Sequence, residues 1–195
     1  MSGFYSIYHK VDNFLEDPRG NWYKFNESDA SIWLDDRIYN KEIVDYFNES
    51  LEREDVVDKE IKKNELDNGF NMILKNHIKT LVIPFKDEKF DKIDRDNIVK
   101  SFDKFIKPKY EIRCFVDSLG SDRLIFTILT ESEWKKLEEK FDKEIVGYFF
   151  VPVSVFKEIF NMPTDEATKI SKERENKRDE IFKIIRQNMF RRHFE

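Results

Sequence analysis

The segment Leu124–Leu129 (LIFTIL) is apolar on both of its alternating faces, with Leu124, Phe126 and Ile128 on one and Ile125, Thr127 and Leu129 on the other. A strand with two apolar faces has to be covered on both, which predicts a central strand. Before it, Tyr110–Asp117 alternates more strictly. Tyr110, Ile112, Cys114 and Val116 share an apolar face, and Glu111, Arg113, Phe115 and Asp117 form a face expected to be half solvated. Ser118-Leu119-Gly120-Ser121-Asp122 joins the two as a hairpin loop. After the second strand, Thr130 and Glu133 make a T-x-x-E capping box for a helix carrying Trp134, Leu137 and Phe141.

The rest of the chain is read around this hairpin. Phe4–Val11 and Trp22–Phe25 are aromatic and short, which predicts two strands about the Asp17-Pro18-Arg19-Gly20 turn. Ile32–Leu34 is a further apolar cluster. Asn40 is expected to cap a helix with Ile43, Val44, Phe47 and Leu51 on one face. A second helix is expected over Asp55–Leu66, closed by Asn68-Gly69. Phe70–Leu74 fits either a helical turn or a strand. Thr80–Phe85 is a strand that Pro84 places at an edge or at the strand's end. Asp96 is expected to cap a helix through Phe102 and Ile106 that Pro108 stops. Gly147–Val153 is predicted as a strand and Ser154 as the cap of a short helix to Phe160. Thr164 begins a helix to about Phe190, about 40 Å long at the standard rise. The expected fold is therefore α+β: an antiparallel or mixed sheet with packed helices in one domain over 1–162, and a long C-terminal helix over 163–195.

Composition supports a folded chain. Of 195 residues, 38% are charged, yet 19 are Phe, and disordered chains are poor in aromatics. The single cysteine, Cys114, permits no internal disulfide and no four-thiolate zinc site, in keeping with a reducing, cytoplasmic setting. The opening residues carry no apolar leader core, and no apolar run is long enough to span a membrane. His9, His77, His193 and Cys114 lie too far apart for a local metal pair. Phosphate-loop, dinucleotide and zinc-protease motifs are absent, so no cofactor and no metal is called for. The Asp117–Asp122 loop has the residues a hairpin needs anyway.

What remains is charge. The net of −5 averages an acidic front (Val11–Thr80, 17 acids to 10 bases) and a basic tail (Pro163–Glu195, 9 bases to 7 acids). Asp45, Glu49 and Glu52 recur at helical spacing, and Asp55 extends them. Ser171–Glu180 holds no apolar residue, so the helix is expected to cross solvent there. Beyond it Ile181, Ile184, Ile185 and Met189 form a stripe that must be buried by this domain, by a second copy or by a partner. The chain ends in Phe190-Arg191-Arg192-His193-Phe194.

These features point to a non-catalytic, cytoplasmic protein-binding protein. Small acidic inhibitors, such as immunity or anti-defence proteins, have this physical profile. The contact would use the acidic face or the C-terminal helix, the latter also as a homo-oligomer contact. One alternative is a metal-dependent enzyme on phosphate-containing substrates, its site assembled from scattered carboxylates. Another is a nucleic-acid binder using Arg191 and Arg192, which two arginines support poorly.

Overall fold

The computed structural model describes residues 6–35, 37–63, 69–86 and 92–194. In chain order these form α1 (Ile7–Glu16), α2 (Trp22–Asn26), β1 (Ile32–Asp35), α3 (Ile43–Asn48), β2 (Asp58–Lys63), β3 (Phe70–Lys75) and β4 (Thr80–Phe85). Then come α4 (Lys92–Ile106), β5 (Tyr110–Phe115), β6 (Arg123–Thr130), α5 (Glu131–Phe141), α6 (Lys143–Phe149), β7 (Phe150–Pro152) and α7 (Thr164–Phe194). The fold is α+β with two antiparallel sheets, ordered β1-β6-β5-β7 and β2-β3-β4.

As its two apolar faces require, β6 lies inside the four-stranded sheet, with Phe126 opposite both Ile32 of β1 and Cys114 of β5. Each face of this sheet has its own core. On the first, Leu124, Phe126, Ile128, Ile112 and Cys114 pack with Val44 and Phe47 of α3, Phe102 of α4, and Met72 and Ile83 of the smaller sheet. On the second, Ile125, Leu129, Phe115 and Phe150 are covered by α1, α2, α5, α6 and α7. Phenylalanine dominates this second core. Phe14 lies 4.7 Å from Phe25, 5.1 Å from Phe149 and 5.6 Å from Phe115 between ring centroids, mostly edge to face.

Several local expectations hold. The capping box forms, with Glu133 N donating to Thr130 Oγ1 at 3.2 Å and Thr130 N donating to Glu133 Oε2 at 2.9 Å. Pro84 lies in β4, an edge strand. The loop after β5 is turn chemistry: the Ser118 hydroxyl donates to Phe115 O at 2.7 Å and accepts from Ile125 N at 2.9 Å. Gly120 there has φ +78°, a left-handed conformation that favours glycine.

Others are corrected. Ile7–Glu16 is helical, not extended, and Phe4 and Tyr5 of the expected strand lie outside the described residues. Ser6 caps α1, and the stripe Val11, Phe14, Leu15 sets a helical period that begins beyond the aromatic alternation. Trp22–Phe25 is helical too and buries Phe25, while Trp22 and Tyr23 stay exposed. The expected helix over Asp55–Leu66 is instead a 3-10 turn, Arg53–Asp55, followed by β2. Val57 and Ile61 have helical spacing, but Ile61 pairs with Met72 of β3, and cross-strand pairing overrides local propensity. Residues Leu66 and Asn68 lie outside the described residues. Phe70–Leu74 is a strand. Asp96 is an internal residue of α4, not its cap. Residues 147–149 finish α6, leaving only the short β7, and Ser154 sits in a 3-10 turn. On the face expected to be half solvated, Arg113 and Phe115 are buried, Phe115 in the core that α5 helps to cover, while Glu111 is partly exposed and Asp117, beyond the strand, is exposed.

Candidate functional site

The acidic segment is shaped by Asn48. This residue ends α3, and its side chain clasps the backbone of Val57: Asn48 Nδ2 donates to Val57 O and Val57 N donates to Asn48 Oδ1, each at 2.9 Å. The eight residues between them are thereby held as a closed loop on the outside of the first core. Asp45–Glu60 contains seven acids and two bases, a net of −5 that equals the whole chain's.

The helical spacing of Asp45, Glu49 and Glu52 does not become one helix face. Only Asp45 lies within α3, Glu49 is at its C-cap, and Glu52 precedes the 3-10 turn. The chain turns there because the Asn48 clasp directs it into β2. The carboxylates are nevertheless kept on one segment and divided into two groups. Asp45 pairs with Lys59 at 2.5 Å. Glu52 pairs with Lys109 at 3.1 Å, and Asp55 also bonds Lys109 while accepting a 2.8 Å hydrogen bond from the Tyr110 hydroxyl. Burial pushes the Asp55 carboxyl up, but the bonds from Lys109 and Tyr110 outweigh it and hold it below the usual carboxylate range. The same contacts raise Lys109, and burial plus the bond to Asp55 push Tyr110 up to about 12.

One carboxylate oxygen each from Glu52, Glu54 and Asp55 come within 4.8 Å of one another. The cation among them is the Lys109 ammonium, so this cluster has an internal counter-charge. Glu49, Glu54 and Asp58 point to solvent, and Tyr46 and Val56 stand among them 41% and 42% exposed. Exposed tyrosine beside carboxylates gives a surface both charge and a rigid apolar contact area.

Of the three covers open to the C-terminal stripe, this domain, a second copy or a partner, the structure shows the first. Ile181 and Ile185 are 1% and 4% exposed in the chain's own second core, with Ile184 and Met189 packed against it. The second face of the central sheet needs that cover, so these four residues do not form an outward stripe. The polar run Ser171–Glu180 crosses the surface through Arg174, its one half-buried side chain. The Arg174 guanidinium lies 4.2 Å over the Tyr148 ring and bonds both Asp117 and the Tyr148 carbonyl. Sequence reasoning missed this residue, although Arg174 sits at i+4 from Ile170 and i−7 from Ile181, on the stripe's own face. Helix α7 continues through Arg191 and Arg192, whose side chains lie outside the described set.

Arg113 was also missed. Buried in β5, it pairs with Glu111 and Glu138 at 2.7 Å each and lies 4.4 Å over Trp134. Cys114 is fully buried, which pushes its thiol up to about 12. No helix among the described residues is long and apolar enough to cross a membrane. Comparison of the chain with protein-family models, curated proteins and solved structures finds no match.

Proposed function

We propose that this is a non-catalytic, cytoplasmic protein-binding protein whose docking surface is the segment Asp45–Glu60, and that its partner presents a basic surface. The observation that carries the reading is the segment's concentration of charge on a fixed loop. Seven acids and two bases occupy sixteen residues, with Tyr46 and Val56 exposed among them. Complementary charge steers encounter and selects partners, and the exposed apolar side chains supply contact area. Lys59 and Lys109 offset part of the field but hold Asp45, Glu52 and Asp55 in place, leaving Glu49, Glu54 and Asp58 directed outward.

The test is fluorescence anisotropy of a labelled lysine-rich peptide against the wild type, against Glu49→Lys/Glu54→Lys, and against a control reversal on α7, Asp179→Lys/Glu180→Lys. All four acids are exposed. We expect the first double variant to weaken binding at least about tenfold, the scale of one or two lost charge contacts, and the control to change it little. Equal losses in both would mean that the peptide senses only net charge and would overturn the assignment.

A further inference from the structure

The last part of α7 carries a second charged surface. Residues 181–194 contain four bases, Lys183, Arg186, Arg191 and Arg192, and no acid. On the helix, Lys183, Arg186 and Phe190 follow at i, i+3 and i+7, and all three are exposed, Phe190 by 68%. At 100° per residue they centre on the side opposite the buried Ile181 and Ile185. A large exposed aromatic between outward cations is the inverse of the acidic segment, where Tyr46 and Val56 stand between outward carboxylates.

The two surfaces cannot meet within one molecule. Helix α3 packs on the first face of the central sheet and α7 on the second. Two packing layers of about 10 Å each separate them, more than two Debye lengths of about 8 Å at physiological salt. We propose that they meet between molecules: the Lys183–Phe190 face of one copy docks on the acidic segment of a second copy, giving a head-to-tail contact. This rests on the docking role of Asp45–Glu60 proposed above and names a second copy as the partner. Such a contact is heterologous, so each added copy leaves one acidic and one basic surface open, and assembly grows with concentration unless a ring closes.

Sedimentation velocity tests this with full-length protein. In about 20 mM salt, where charge is weakly screened, the weight-average mass of the wild type is expected to rise toward twice the monomer's or beyond by about 100 µM, and to return to the monomer in about 0.5 M salt. Glu49→Lys/Glu54→Lys and Lys183→Glu/Arg186→Glu, all at exposed positions, are each expected to stay monomeric alone. Mixed one to one they are expected to associate, because the unaltered surface of each variant meets the unaltered surface of the other. A wild type that stays monomeric at low salt overturns the proposal. If the lysine-rich peptide still binds that monomer through Glu49 and Glu54, the acidic docking surface stands without it. Association that survives both reversals assigns the contact to another surface and also overturns it. So does a monomer whose α7 reversal abolishes binding of a single-stranded oligonucleotide, since the helix would then serve phosphate.

Discussion

Asn48 and Val57 exchange two hydrogen bonds of 2.9 Å, one from the side-chain amide to the carbonyl and one from the backbone amide to the side-chain oxygen. A single side chain thus does the work of a strand bridge, closing the loop that carries Glu49, Glu52, Glu54 and Asp55. Replacing it by alanine leaves a partly buried N–H and C=O of Val57 without partners. Asn48→Ala is expected to cost about 2 kcal/mol in urea unfolding. It should also weaken the lysine-rich peptide under conditions where the variant is still folded, because the loop is no longer fixed. Unchanged stability would show that the clasp does not hold the segment.

Ile181 tests whether α7 belongs to the body of the protein. The side chain is 1% exposed among Ile145, Phe149 and their neighbours. Ile181→Ala is expected to lose about 3 kcal/mol, the scale of a large-to-small change in a packed core. Ile170→Ala, at the half-buried start of the same stripe, should lose about 1 kcal/mol or less. Equal, small losses at both positions would mean that the helix end is not packed as described.

Arg113 holds two carboxylates against an aromatic ring, and its removal takes away the cation they share, leaving Glu111 with Lys107 at 3.4 Å. Both Glu111 and Glu138 are largely covered, with side chains 16% and 22% exposed. Arg113→Ala is expected to destabilise the chain by about 3 kcal/mol. Arg113→Met fills the volume without the charge, and adding Glu111→Gln and Glu138→Gln to it should recover most of the loss. Failure of the triple variant to recover would assign the cost to packing on Trp134 rather than to the stranded charges.

Asp96 gives the pH dependence. Its Oδ1 accepts from Ile159 N at 2.7 Å and from Phe160 N at 3.3 Å, and its Oδ2 is buried without a hydrogen-bond partner. Burial raises this carboxyl above its ordinary value, and the backbone amides of Ile159, Phe160 and Asn161 and the charge of Lys100 pull it back only in part. The folded chain therefore keeps the proton at a pH where the unfolded chain has lost it. Its contribution is fully present below the ordinary carboxylate value, declines as pH rises through the raised folded value, and is constant above that. Asp96→Asn removes this slope. The stability difference between variant and wild type, from urea unfolding between about pH 3 and about pH 7, should move in the variant's favour as pH rises. Parallel curves would contradict it.

How much of this was legible beforehand follows from what each residue's environment depends on. The strand Leu124–Leu129 and the Thr130–Glu133 box declare themselves because their signals are local and strong: two apolar faces, and a cap with its reciprocal partner. The opening residues misled because Tyr5, Ile7 and His9 suggest alternation, while the stripe that decides the helix, Val11, Phe14 and Leu15, comes later. Asp58–Lys63 carries one apolar side chain among charges and is a strand only because β3 pairs with it. The acidic segment was visible as composition, but not its division between Lys59 and Lys109. Lys109 lies 57 residues from Glu52, and no spacing rule reaches that far. Arg174 and Arg113 were hidden for a similar reason: each is a charged residue whose stem replaces an apolar one, and only the facing ring, Tyr148 or Trp134, reveals it.

The most direct test of the docking surface is an amide NMR titration of the isotope-labelled chain with the unlabelled lysine-rich peptide. The account predicts shift changes confined to residues 45–60 and the neighbouring Lys109–Tyr110, which share their hydrogen bonds, and their disappearance in Glu49→Lys/Glu54→Lys. Changes spread over the other exposed acids, those of Glu131–Glu144 and Asp165–Glu180 among them, would contradict it.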